Sequence, residues 1–212
     1  MARLIQRYRD GDRMNHWAVA ILFVLAALSG LALFHPSLYF FSHLFGGGSW
    51  TRILHPFMGL LMVLLFIGLF FRFRRENRIT AEDRAWRAQM GRMVRGDKAG
   101  MPAAGKYNYA QKLVFWVFAL CLLVLLVTGF MFWRPWFAPA FPIVAIRIAA
   151  LLHAIAAFGL VMAVIVHVYA AIWVTGTMRA MTRGTVTEAW ARRNHPLWHA
   201  EVSRPSGGHV QR

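Results

Sequence analysis

The 212-residue chain has a single cysteine, Cys121, and that scarcity removes several chemistries at once. One thiol in an apolar run cannot build a disulfide framework, a thiolate zinc site or a C-x-x-C-H haem attachment. Acidic residues are also few: eight Asp and Glu stand against 24 Lys and Arg, a formal charge of +16. No carboxylate lies in any long apolar run, which weighs against a di-metal transporter, whose ions normally want oxygen ligands. In a soluble protein this surplus of positive charge would suggest nucleic acid. Here 58% of the residues are hydrophobic and the basic ones flank apolar runs, so the chain reads as an integral membrane protein with no nucleic-acid partner.

Four spans follow from those runs, at about residues 14–35, 52–72, 112–134 and 148–178, within one domain over 1–212. The first follows a short polar arm. A signal peptide is the alternative there, set against by a run longer than a signal core and by the lack of a small-x-small cleavage site. The connection from His35 to Trp50 carries His35-Pro36 and Gly46-Gly47-Gly48, breakers that predict a loop. Segment 72–112 is the longest polar stretch. It includes GDKAGMPAAGKYN and predicts a short surface helix and an ordered loop. RPWFAPAFP after the third span is turn-like. In the tail, 179–212, GTVTEAWARRNHPLW predicts a helix capped by Thr and stopped by Pro196, before a frayed end containing His209. No internal repeat is visible.

The arm, the 72–112 loop and the tail hold 21 of the 24 basic residues. By the positive-inside rule both termini and that loop face the cytoplasm, as in a multi-pass protein of a bacterial inner membrane in contact with anionic lipid. This fixes the depths of the intramembrane histidines. His16 lies at the cytoplasmic end of the first span and His55 near the outer end of the second. On the fourth, His153 and His167 are fourteen residues apart, about 40° in direction and about 21 Å in height on a helix. Depth allows one pairing, His16 with His167 and His55 with His153, and two trans imidazole pairs are what two six-coordinate haems need.

Singly, each of these histidines could instead be a packing or proton-relay group. Gly30, Gly59 and Gly129 lie where a missing side chain would let a flat ring approach, or simply where helices pack closely. The fourth span is longer than a bilayer needs, and its surplus is expected on the cytoplasmic side. KYNYAQK, from Lys106 to Lys112, reads as a helix start with Asn108 as cap and as a polar ligand site beside the inner haem. Arg13, Lys112 and Arg179 are candidates to neutralise haem propionates. His35 and His43 are assigned to the outer loop. His195 and His199 have zinc-like spacing but no evident third ligand.

Several of these segments together resemble the gamma, cytochrome b, subunits of respiratory membrane-bound formate dehydrogenases. They are RMNHW from Arg13 to Trp17, LSGLALFHP from Leu28 to Pro36, LFGGGSWTRILHPF, KYNYAQK, the interval from His153 to His167, and HPLW. The resemblance covers nearly the whole chain. It implies an all-α four-transmembrane-helix bundle with cytoplasmic N and C termini and two b haems in the bundle core. His55 and His153 would bind the outer haem, His16 and His167 the inner. Asn108, Ala110, Gln111 and His167 would form a site for menaquinone or ubiquinone, although relatives can carry glycine where this chain has Ala110. Electrons would come from an iron-sulfur beta subunit fed by a molybdenum or tungsten catalytic alpha subunit that oxidises formate. They would pass through the outer and then the inner haem to a quinone reduced on the cytoplasmic side, in a heterotrimer that can assemble further. The cytochrome b subunits of nickel-iron hydrogenase and thiosulfate reductase-type complexes, and a stand-alone cytochrome b reductase, are the alternatives.

Overall fold

A computed structural model describes residues 3–95 and 102–204, which leaves His209 and GDKAGM, the first part of GDKAGMPAAGKYN, outside the described residues. In chain order the elements are β1 (Leu4–Gln6), α1 (Asp10–Phe34), a 3-10 helix (Pro36–Phe45), α2 (Gly48–Phe73), α3 (Ala81–Ala88) and α4 (Met90–Val94). Then come α5 (Tyr109–Met131), α6 (Ile143–Trp173), α7 (Thr177–Arg183), β2 (Thr185–Thr187), α8 (Glu188–Asn194) and α9 (Pro196–Val202). The helices α1, α2, α5 and α6 are each long and apolar enough to cross a membrane. Large apolar side chains such as Ile21, Leu61, Leu120 and Phe158 stand exposed on them, as a lipid-facing surface requires.

Two antiparallel hairpins make up the bundle. α1 packs along α2 and α5 along α6, while the hairpins meet each other more sparsely. The connection expected to be a loop after α1 is mostly a 3-10 helix, begun by Pro36 with His35 Nδ1 accepting from Ser37 N–H at 3.2 Å. Gly46 and Gly47, at φ 84° and 97°, then turn the chain into α2, a backbone that other residues rarely adopt. Met62, Val63, Leu122 and Leu160 form the buried centre of the bundle.

The fourth long helix is 31 residues, as expected, but runs from Ile143 to Trp173 rather than 148–178. Pro142 starts it early, since proline has the dihedral a helix entry wants and no N–H to satisfy. Val174 leaves helical geometry and Gly176, at φ 95°, completes the stop. Ten residues therefore precede His153 while only six follow His167. This corrects the placement of the surplus: it lies at the His153 end.

At the His167 end a small layer covers the bundle. β1 and β2 pair antiparallel, Ile5 opposite Val186, and join the arm to the tail. Sequence periodicity gave no sign of this contact. The Thr-capped helix α8 ends at Asn194, before Pro196, as expected, and Pro196 then opens a further helix, α9, as its first residue. Thr187 caps α8 as expected, accepting from Trp190 N–H at 3.2 Å. Arg7, buried, donates to Lys106 O at 2.6 Å and lies 4.8 Å from the Trp198 ring centre and 5.2 Å from that of Trp190.

Candidate functional site

Both histidine pairs form across the seam between the hairpins. His16 on α1 faces His167 on α6 with ring centres 6.2 Å apart, and His55 on α2 faces His153 on α6 at 6.3 Å. A metal that takes an imidazole nitrogen at about 2 Å on either side sets the ring centres roughly 6 Å apart once the depth of each ring is added. Direct packing of two uncharged rings requires no such gap. The seam is also where the helices are least in contact, so a flat macrocycle lying between the rings meets the hairpins where they are already parted.

The protein holds the rings of the His55 pair in nearly the same way twice. Ser29 Oγ lies 2.8 Å from His55 Nδ1, and Thr128 Oγ1 lies 2.9 Å from His153 Nδ1. A Cβ added to Gly30 would stand 3.2 Å from His55 Cε1, and one on Gly129 would stand 3.5 Å from His153 Cε1. A side chain at position 30 would therefore crowd the His55 ring, whereas the Gly129 distance is an ordinary van der Waals contact. A Cβ on Gly59 would meet no protein atom within 4 Å. The sequence signal for this arrangement is faint: a hydroxyl-glycine dipeptide stands 26 residues before His55 and 25 before His153.

The His16 pair has different surroundings. His16 packs edge-on against Trp17, and His167 against Phe118. Buried polar atoms with no protein partner gather in this region of the chain: His16 Nδ1, Asn15 Oδ1, and Nε of both Arg13 and Arg179. Two guanidinium groups with unspent donors, beside a candidate ligand pair, suit an anionic edge such as a haem propionate. Arg13 is otherwise engaged with Asp10 at 2.6 Å and Thr182 O at 2.5 Å. Lys112 is not a free cation for that purpose, because its ammonium lies 2.7 Å from Asp83. Burial opposes a charge on Asp83, but Lys112 and the Thr80 N–H hold its carboxyl below the usual range.

Asn108 and Gln111 form a reciprocal capping box at the start of α5. Asn108 Oδ1 accepts from Gln111 N–H and Gln111 Oε1 accepts from Asn108 N–H, each at 3.0 Å. The cap therefore uses both side-chain oxygens and leaves both amide groups as donors. Gln111 precedes Phe118 by seven residues, which places it about 10 Å along the same helix face from the ring that touches His167. A cavity of about 230 Å³ lies beyond Asn108, lined in part by Glu76, Asp83, Lys106 and Lys112.

His195 and His199 serve the fold. His195 Nδ1 donates to Gly105 O at 2.8 Å and its Nε2 faces Arg7 at 3.4 Å, while His199 lies 3.2 Å from Glu188. Among the described residues no three His, Cys, Asp or Glu come together as a metal-binding group.

Four membrane-length helices that set imidazoles face to face across their seam define a membrane cytochrome of the b type. The model for a family described as prokaryotic cytochrome b561 matches residues 7–184. The formate dehydrogenase cytochrome b556(fdo) subunit of Escherichia coli K12 is 44% identical over 200 residues, 94% of either chain. The nitrate-inducible cytochrome b556(Fdn) subunit of the same organism is 37% identical over 203 residues, 96% of this chain and 94% of that one. The formate dehydrogenase cytochrome b556 subunit of Haemophilus influenzae is 36% identical over 197 residues, 93% of this chain and 83% of that one. The chain belongs to the prokaryotic cytochrome b561 family, among its b556-type members, and so to the haem b proteins.

Proposed function

We propose that this chain is the membrane subunit of a formate dehydrogenase complex, holding two b haems and delivering electrons to a quinone. The ring separations of 6.2 and 6.3 Å, each across the seam between hairpins, carry the reading. His16 and His167 are then the axial ligands near the cytoplasmic face, and His55 and His153 those near the outer face. The distribution of basic residues supports that orientation, with both termini inside a bacterial inner membrane. When bound, haem supplies a one-electron iron couple at each depth. The chain orients the four imidazoles, and between the two levels Met62, Val63, Leu122 and Leu160 exclude water.

Electrons enter at the outer end from an iron-sulfur subunit, which a molybdenum or tungsten subunit supplies from formate. The names of the relatives, cytochrome b556 subunits of formate dehydrogenases, support a place in such a complex. They leave at the cytoplasmic end, where the free amide groups of Asn108 and Gln111 and the first-turn N–H of Ala110 offer donors to a quinone carbonyl close to His167. Menaquinone and ubiquinone both present such carbonyls. The cavity lined by Glu76, Asp83 and Lys106 gives protons a polar approach from the loop side. Electrons moving inward while the protons of formate oxidation stay outside separate charge without a pump.

Purification of the chain from its native membrane tests this. The expected result is co-elution with an iron-sulfur subunit and formate-driven quinone reduction. Co-elution with a nickel-iron hydrogenase, with no response to formate, would contradict it.

A further inference from the structure

Hydroxyl buttresses occur at the His55 pair, and His16 Nδ1 lacks one. Ser29, fully buried, donates its hydroxyl hydrogen to Ala26 O at 3.0 Å. Thr128 Oγ1 lies 2.6 Å from Val124 O. A carbonyl can only accept, and a hydroxyl has one hydrogen, so in both cases that hydrogen is committed to the helix backbone. Each oxygen therefore meets its histidine, at 2.8 and 2.9 Å, as an acceptor, and the proton between them belongs to Nδ1. This leaves Nε2 of His55 and of His153 as the nitrogen with a free lone pair. The tautomer follows from hydrogen-bond arithmetic alone.

We infer that Ser29 and Thr128 are positioning residues of the outer centre, accepting Nδ1–H of His55 and His153 so as to fix both rings and hold that centre at a lower potential than the inner one. The inference rests on the ligand assignment proposed above. An acceptor on Nδ1–H makes an imidazole a stronger donor through Nε2 and favours the oxidised, more positive iron. A hydroxyl already donating to a carbonyl is polarised and accepts more strongly. At the other end His16 Nδ1 is buried without a partner; the neighbouring Asn15 donates from its amide nitrogen to Leu65 O at 3.0 Å, and its Oδ1 is likewise unpartnered. The two levels thus differ in ligand basicity in the sense that favours electron movement from the outer pair to the inner.

A role in packing alone would make the same contacts, so the test reads potentials. The haem-loaded complex carrying Ser29→Ala, Thr128→Val or both is titrated electrochemically while the two visible components are followed. The component lost in His55→Ala should shift to higher potential in each single variant and further in the double, and the other component should stay where it is. Ser29→Thr and Thr128→Ser, which keep the hydroxyl, should restore the wild-type value. Thr128→Val is nearly isosteric, so its shift remains a readout even if the double variant loses haem. Unmoved potentials in variants that retain both components would overturn the inference alone. If His55→Ala leaves both components in place, the ligand assignment fails and the inference falls with it.

Discussion

At the His55 end each imidazole rests against a glycine and a hydroxyl from the preceding helix, whereas around His16 several buried polar atoms lack protein partners. The first arrangement is repeated almost identically on two hairpins. The second lies under a layer built from both ends of the chain, next to a helix N-terminus with free donors and a cavity lined by carboxylates and lysines. On the function proposed above, the first level would hold its ligands still and the second would admit anions, protons and a polar acceptor. The same residue pair, at nearly the same ring separation, would then serve two duties because its surroundings differ.

Substitutions can break that contrast. Gln111→Leu should have the largest effect, lowering quinone reduction by about tenfold or more while both haem components remain, since it removes a donor and buries a methyl-rich surface in its place. Steady-state quinone reduction beside a reduced-minus-oxidised spectrum checks it. Retention of full activity would place the acceptor elsewhere.

The layer at the His16 end should depend on pH. Burial, and after it the Arg7 guanidinium, push His195 down to about 4, so the folded state keeps it neutral while the unfolded chain protonates nearer 6.5. Between these values the unfolded state binds more protons. The contribution to stability is complete above about 6.5 and is lost as pH falls through it toward 4, up to about 3 kcal/mol. Protection factors in β1 and β2, which correct for the intrinsic slowing of exchange at lower pH, should fall from pH 7 to pH 5, and His195→Gln should flatten that dependence. An equal fall in the variant would assign it to another group.

Asn108→Ala removes one side of the capping box and should cost about 1 kcal/mol by thermal unfolding. A smaller contrast separates two glycines. Gly30→Ala puts a methyl at 3.2 Å from His55 and should shift the outer spectral component, whereas Gly129→Ala meets His153 at 3.5 Å, an ordinary contact, and should leave it unchanged. Identical spectra for the two variants would remove the distinction.

The long helices and the depths of their histidines were legible because apolar length, charge asymmetry and fourteen-residue spacing are local or nearly local signals. The pairings of His16 with His167 and His55 with His153 follow from depth alone. The asymmetry of α6 is not legible, because Pro142 and Gly176 set its ends while the charged residues that bound the apolar run are Arg147 and Arg179. Nor is the β1–β2 pair, since Leu4 meets Thr187 across almost the full chain and three-residue strands leave no periodicity to read. Ser29 and Thr128 carry no local signal of their role, because the imidazole each one meets lies 26 and 25 residues further along the chain.

The pairing itself is tested most directly by deleting the four histidines one at a time and recording which visible haem component disappears. His55→Ala and His153→Ala should remove one and the same component, and His16→Ala and His167→Ala should both remove the other. If His16→Ala and His55→Ala deleted the same component, or if all four variants kept both, two separate ligand pairs at two depths could not be correct.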